Sequence, residues 1–161
     1  MAEKIVGLEQ LLKIREQARR SGRRVVFTNG VFDLLHRGHV EYLQKARELG
    51  DLLVIGLNSD TSVHAIKGPK RPLVPQEDRA AVLAALECVD QVVLFEEETP
   101  ARLIEALLPD VLVKGADYTV EQIAGAEAVR RNGGRVATIE LTPGRSTSGL
   151  IRRIIGAYGG E

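Results

Sequence analysis

His36 and His39 sit three residues apart around Gly38, where an apolar run gives way to a helical pattern. Imidazoles placed this way can donate hydrogen bonds to phosphate oxygens, and the glycine lets the backbone pass close to a ligand. Just upstream, Thr28, Asn29, Gly30, Phe32 and Asp33 follow the apolar Val25-Val26-Phe27. A strand, a glycine-bearing loop and a helix N-terminus make a phosphate cradle, because unpaired N–H groups and the helix dipole both point at the anion. A metal site is the competing reading, but one i,i+3 histidine pair is not a complete ligand set. Either histidine alone would read as a cap or a surface residue. The pair around one glycine is what argues for chemistry.

Other polar groups fall where they can join this cradle. Lys67-Gly68-Pro69-Lys70-Arg71-Pro72 is a basic, proline-broken loop. Its cations are either simply solvated or face the anion site. Lys114 and Asp117 follow another apolar run; they can read a ribose, a base or a sugar, or pair with each other. Ser146, Thr147 and Ser148 open the last helical stretch, beside Arg145, which is either a phosphate ligand or an idle surface cation. Asp33 is open between a direct ligand, a cap of its loop and an orienting partner for a histidine. Glu96-Glu97-Glu98 reads as a solvated helix entry that complements the dipole. His64 belongs on a solvent-facing helix, and Cys88 reads as a small buried hydrophobe in a helical stretch.

The elements that position these groups alternate. Helical spacing over Leu8 to Arg20, with arginines at its end and Ser21-Gly22 after it, predicts a first helix. Strands are predicted over 24–28, 52–57, 91–95, 111–113 and 135–141, and helices from Gly38, Thr61, Gln76, Glu96 and Ser148. The last helix is expected to bury Leu150, Ile151, Ile154 and Ile155. Strand, helix, strand in short succession is a βαβ unit with a parallel sheet. The fold class is therefore α/β, a doubly wound sheet of about five parallel strands with flanking helices. Ligands of such sheets bind at the carboxyl ends of the strands, where these polar clusters fall.

Composition narrows the function classes. The 161 residues are expected to form one domain over 1–161, with a core over 23–155 and an N-terminal helix over 8–20. The formal net charge is zero, which gives no sign of a nucleic-acid or membrane partner. Few aromatics and no tryptophan argue against base stacking on an aromatic platform. One cysteine permits no internal disulfide. Met1 to Gly7 lacks the apolar core of a signal peptide, so a cytoplasmic location is expected.

The run Thr28 to His39 matches T-x-G-x-F-D-x-x-H-x-G-H throughout. In this it resembles the HxGH nucleotidyltransferase superfamily, in its cytidylyltransferase-like branch. Asn58-Ser59-Asp60, Lys67-Gly68 with Arg71-Pro72, Arg79, Lys114 to Tyr118 and Ser146 to Ser148 resemble the nucleotidyltransferase domain of the bacterial heptose-phosphate enzymes. The likeness runs from about Arg23 to Ile155. It implies a Rossmann-like fold and transfer of AMP from ATP to D-glycero-β-D-manno-heptose 1-phosphate. The products would be ADP-heptose and pyrophosphate, for lipopolysaccharide or another surface glycan. It makes His36, His39 and Lys67 catalytic. It places Thr28, Asn29, Gly30, Phe32, Asp33, Gly38, Arg71, Lys114, Asp117, Ser146, Thr147 and Ser148 around the nucleotide. It implies Mg2+ bridging phosphate oxygens with few protein ligands, a homodimer, and a separate sugar kinase, since the likeness is to the free-standing form of a domain often fused behind one. Glycerol-phosphate cytidylyltransferases carry R-T-E-G-I-S-T-T before the last helix. This chain has Leu141-Thr142-Pro143-Gly144-Arg145-Ser146-Thr147-Ser148, without the first arginine. Ala116 also stands where the heptose enzymes tend to have glycine. The rival readings are a cytidylyltransferase for glycerol 3-phosphate, an FMN adenylyltransferase and a non-catalytic nucleotide binder.

Overall fold

The apolar runs pair because each is rich in the aliphatic and β-branched side chains that a sheet covered on both faces can bury. The computed structural model describes residues 2–159. Its strands are β1 (Val25–Gly30), β2 (Leu52–Asn58), β3 (Gln91–Phe95), β4 (Val111–Gly115) and β5 (Arg135–Ile139). They form one parallel sheet in the order β3-β2-β1-β4-β5. Every residue of β2 is buried.

The helices are α1 (Leu8–Arg20), α2 (Arg37–Arg47), α3 (Asp60–Lys67), α4 (Gln76–Ala85), α5 (Ala101–Leu107), α6 (Ala126–Arg131) and α7 (Thr147–Tyr158). Successive side chains of a strand point to opposite faces. Val26 of β1 accordingly joins Leu43 and Ala46 of α2 and Leu83 of α4 in one buried cluster. Val25 and Phe27 join Leu11 of α1 and Leu103, Ile104 and Leu107 of α5 in the other. Burying each such aliphatic or aromatic side chain stabilises by about 1.5–3 kcal/mol.

The connections set where a ligand can enter. From β1 the chain steps outward to β2 and β3, then crosses to β4 and β5 on the other side. The β1–β4 boundary is thus the topological switch point, the usual crevice of such sheets. Pairing differs sharply across it. β1 follows β2 from Val25↔Leu52 to Gly30↔Leu57, but meets β4 only at Val26↔Val111 and Phe27↔Leu112. Past those residues the two strands part, and the cleft opens between their carboxyl ends.

Two expectations need correction. Leu150 and Ile151 of α7 are only half-buried, and Ile154 and Ile155 are 50% and 62% exposed. An apolar stripe shows which side chains share a face, not that anything lies opposite. Cys88 lies in a turn beyond α4 rather than in a helix; it is half-buried against the core, and burial raises its thiol pKa. No helix among the described residues is long and apolar enough to cross a membrane.

Candidate active site

At the end of β1 the backbone turns tightly under an aromatic ring. A Cβ on Gly30 would lie 2.9 Å from a ring carbon of Phe32, so a side chain there would displace that ring. Phe32 itself has φ 47°, a left-handed conformation uncommon outside glycine and frequent at functional sites. Its ring meets His39 edge-on at 5.3 Å.

His36 is the N-cap residue of α2, and His39 lies in its first turn. Their rings stack at 3.9 Å with 23° between planes. The His36 backbone N–H points at His39 Nδ1, 3.4 Å away. Nδ1 is therefore the acceptor nitrogen, and Nε2 of His39 carries the proton. Burial, with the neighbouring His36, pushes the His39 pKa down to about 4. Burial and then Arg145 lower that of His36. Both rings are neutral near pH 7, which suits hydrogen-bond donation and not proton shuttling. Gly38 is tight as well: a Cβ there would lie 3.0 Å from Arg145 Cβ and from the His36 ring.

Asp33 was open between three roles, and its geometry decides among them. Its side chain has no exposed surface. Arg71 Nε donates to Oδ2, and the backbone N–H groups of Leu73 and Val74 each approach to 2.9 Å. Burial works against the charge, but those hydrogen bonds outweigh it and hold the pKa below the usual carboxylate value. Asp33 thus anchors the chain at Arg71 to Val74 while also lining the larger cavity of the cleft. Thr28, expected beside the nucleotide, is fully buried, with Oγ1 2.8 Å from Tyr42 Oη, and lines neither of the two cavities described below.

Arg79 is the second buried tie. Its guanidinium donates to the carbonyls of Val31 at 2.7 Å, Asn58 at 2.9 Å and Val74 at 2.9 Å, and to Asp60 at 2.6 Å. It thereby joins the loops after β1 and β2 to the entry of α4. Ser59 caps α3, accepting from Ser62 N at 3.1 Å.

Two cavities meet at this point. The larger, about 420 Å³, is lined by Asn58, Lys67, Arg71, Glu98, Gln122 and Ser148. The smaller, about 280 Å³, is lined by His36, Gly38, Gly115, Asp117, Leu141 and Thr142. Asn29, Gly30, Phe32, His39, Lys114, Ser146 and Thr147 line both. Lys114 Nζ stands 3.5 Å from the Asn29 carbonyl and 4.8 Å above the Tyr118 ring; burial lowers its pKa, against the opposing pull of Asp117. Lys114 and Asp117 form no ion pair within 4 Å among the described residues. Lys67 is exposed and Lys70 lines neither cavity. Ser146 caps α7, and its Oγ accepts from Gly149 N at 3.0 Å. Among the described residues no group of three or more His, Cys, Asp or Glu is placed to hold a metal ion.

Sequence reasoning missed Glu98 and Gln122 as cleft residues. Glu98 was read as one of three solvated carboxylates, and only its position just past a strand end signals otherwise. His64 is exposed on α3, as expected.

The chain is similar to curated proteins and to solved structures. It is 58% identical over 150 residues to the bifunctional protein HldE of Syntrophotalea carbinolica, covering 93% of this chain and 31% of that one. Against the HldE of Geobacter sulfurreducens it is 56% identical over 158 residues, 98% of this chain and 32% of the relative. The chain thus spans about a third of the length of these curated relatives. The solved structure of a lipopolysaccharide core biosynthesis protein from Thermoplasma volcanium matches with a TM-score of 0.59 and 29% identity, over 75% of this chain and 98% of that one. A pantoate-β-alanine ligase from Francisella tularensis, at 15% identity and a TM-score of 0.59 over 89% of this chain and 68% of that one, shares the fold. The cytidylyltransferase-like family model matches residues 27–151, from within β1 into α7. That span takes in both histidines, the basic loop and the entry of the last helix, and the chain belongs to the cytidylyltransferase-like family of nucleotidyltransferases.

Proposed function

We propose that the chain transfers AMP from ATP to D-glycero-β-D-manno-heptose 1-phosphate, as a single domain over 1–161. The observation that carries this reading is the pair of cavities with a shared wall of His39 and Lys114. Nucleotidyl transfer must bring two anions together and stabilise charge growing on the α-phosphate. A neutral imidazole N–H and a half-buried ammonium between two chambers suit that task. The nucleotide would occupy the smaller chamber, with its base and ribose toward Gly115, Asp117 and Leu141. The sugar phosphate would enter the larger one, toward Lys67, Arg71 and Ser148.

The acceptor's phosphate is already ionised, so the reaction needs no general base. An acceptor oxygen bonds to the α-phosphorus, the bond to the β-phosphate oxygen breaks, and its electron pair leaves with pyrophosphate. His39 Nε2–H and Lys114 Nζ would donate to the α-phosphate oxygens. Asn29 and Gly30 would shape the backbone around them, with Phe32 fixing the His39 ring. Ser146 and Thr147, which line both chambers, would hold the triphosphate. Mg2+ arriving on ATP would supply charge neutralisation, with Asp117 the one carboxylate lining the nucleotide chamber.

The resemblance adds a sugar kinase activity as supplier of the acceptor, a cytoplasmic setting, an ADP-heptose product for lipopolysaccharide or a related glycan, and a homodimer. Incubation with ATP, Mg2+ and heptose 1-phosphate should release pyrophosphate. Silence there, with turnover of CTP and glycerol 3-phosphate or of FMN and ATP, would overturn the substrate assignment. ATP binding with no turnover on any of these acceptors would leave the idle-binder reading.

A further inference from the structure

A carboxylate stands where a site for two anions has least use for one. Glu98 lines the larger chamber together with Lys67, Arg71 and Lys114. Its neighbour Glu97 reaches Arg102 at 4.0 Å, but Glu98 has no cation within 4 Å among the described residues. We infer that Glu98 and Gln122 select the acceptor by its hydroxyls, the carboxylate accepting from adjacent ones and the amide N–H donating to another. This rests on the proposed transfer to a phosphorylated acceptor, but not on that acceptor being heptose 1-phosphate.

Charge is the first argument. A carboxylate repels a phosphate group, so it belongs beside the part of a ligand that carries donors and no charge. Hydroxyls are such donors, and O–H bonds to a carboxylate are short and about twice as strong as neutral ones. A divalent cation is the rival partner. Among the described residues, however, no group of three or more His, Cys, Asp or Glu is placed to hold one.

Placement is the second. Glu98 precedes Pro100, the N-cap of α5, and Gln122 ends a short 3-10 turn, Val120–Gln122, on the way to α6. Both line the larger chamber and not the smaller. Ile104 of α5 and Ile123, next to Gln122, share one buried cluster, whereas α2, which bears His39, packs into the other. With the acceptor's phosphate at His39 and Lys114, its body therefore extends toward Glu98 and Gln122. Gly125, at φ 78°, brings these two supports together: an added Cβ there would lie 2.5 Å from Ile104 Cγ2.

The third is the set of groups around the carboxylate. Gln122 Oε1 accepts from the Thr119 backbone N–H at 3.1 Å, which fixes the amide and leaves its N–H group as the donor. Tyr118, 44% exposed, lines the same chamber and supplies apolar surface for C–H groups. The chamber's volume of about 420 Å³ falls in the range of small-molecule sites rather than of a bare phosphate. Acceptor, donor and ring together are what a polyhydroxylated phosphate ester needs.

Titration calorimetry with a non-hydrolysable ATP analogue present separates hydroxyl from phosphate contacts. The ligands are heptose 1-phosphate, glycerol 3-phosphate and methyl phosphate, which has no hydroxyl on its carbon. Glu98 and Gln122 are exposed, so Glu98→Gln, Glu98→Asp and Gln122→Glu should all unfold at the wild-type temperature. Wild type should bind a polyol phosphate about tenfold or more tighter than methyl phosphate. Glu98→Gln should remove that preference, with methyl phosphate and the ATP analogue bound no more weakly than by wild type. Glu98→Asp should restore part of it. Gln122→Glu, which keeps an acceptor for the Thr119 N–H and loses the donor, should weaken only the polyol phosphates. A wild type without the preference would overturn the inference. So would a Glu98→Gln loss shared by the ATP analogue or relieved by more Mg2+. A preference for glycerol 3-phosphate over heptose 1-phosphate, lost in Glu98→Gln, would instead sink the proposed acceptor alone.

Discussion

On the β2 side of the cleft, the rim is held by two buried charges. Asp33 takes Arg71 and the N–H groups of Leu73 and Val74, and Arg79 gathers three carbonyls and Asp60. On the β4–β5 side the side-chain ties are fewer. Lys114 reaches Asn29 O at 3.5 Å, Thr147 reaches Leu34 O at 3.4 Å, and Thr142 donates to Glu41. The pairing of the strands repeats the contrast, since all of β1 pairs with one neighbour and only two of its positions touch the other. One wall is built before any ligand arrives. The other leaves Arg145, Ser146 and Ser148 exposed, with a charge and donors that a polyphosphate would satisfy. The first wall holds its loops in place without reorganising, whereas the second wall can spend binding energy on closing.

Breaking the built wall should give the largest effect. Arg79→Met removes the donor from the carbonyls of Val31, Asn58 and Val74 and leaves Asp60 without its partner. Removing one partner of a buried ionic tie destabilises by about 3–5 kcal/mol. Urea unfolding should show a loss of that size. A loss under about 1 kcal/mol would mean the rim does not depend on this side chain, and the contrast between the walls would fall.

The histidines give a smaller, pH-dependent effect. His39 has a folded-state pKa of about 4 against 6.5 for the free side chain, and His36 shifts the same way. A depressed pKa means the unfolded chain takes up protons first as the pH falls. Their contribution is fully present above about pH 6.5 and is lost as the pH drops toward 4. Asp33 is also depressed, from 3.8, so its contribution is lost only below that value. Unfolding free energy measured from pH 7 to pH 3 should therefore decline in two stages. His39→Gln should flatten the upper stage and leave the lower one. A profile unchanged in that variant would show that His39 is protonated no less readily in the fold than in the free chain.

Legibility divides along the same line. The strands were readable because an apolar run such as Leu52 to Leu57 reports burial on both faces by itself. The cradle was readable because its parts are contiguous from Thr28 to His39. The ties of the rim were not. Asp33 meets partners 38–41 residues away, and Arg79 meets Val31 48 residues away, so no local pattern marks either. In sequence Arg79 follows Gln76, Glu77 and Asp78 and stood out only through the family resemblance, which attached no contact to it. Thr28 matches its motif position, yet the motif cannot say whether it meets a ligand or Tyr42. The outer face of α7 failed differently, because amphipathic spacing fixes a stripe and not what covers it.

That face supplies the smallest expected effect on the monomer. Ile155→Ser alters a side chain that is 62% exposed, and substitutions at such positions change stability by about 0.5 kcal/mol or less. Ile104→Ala, on the covered face of α5, should cost about 2–5 kcal/mol. Both are measured in dilute protein, where any association is broken. If the second copy of the proposed homodimer covers Ile154, Ile155 and Tyr158, Ile155→Ser should also shift sedimentation at higher concentration from dimer to monomer. Desolvation of that stripe would then come from the partner and not from the fold. A large loss of stability in the dilute variant would instead put α7 in the core and make the second wall as firmly built as the first.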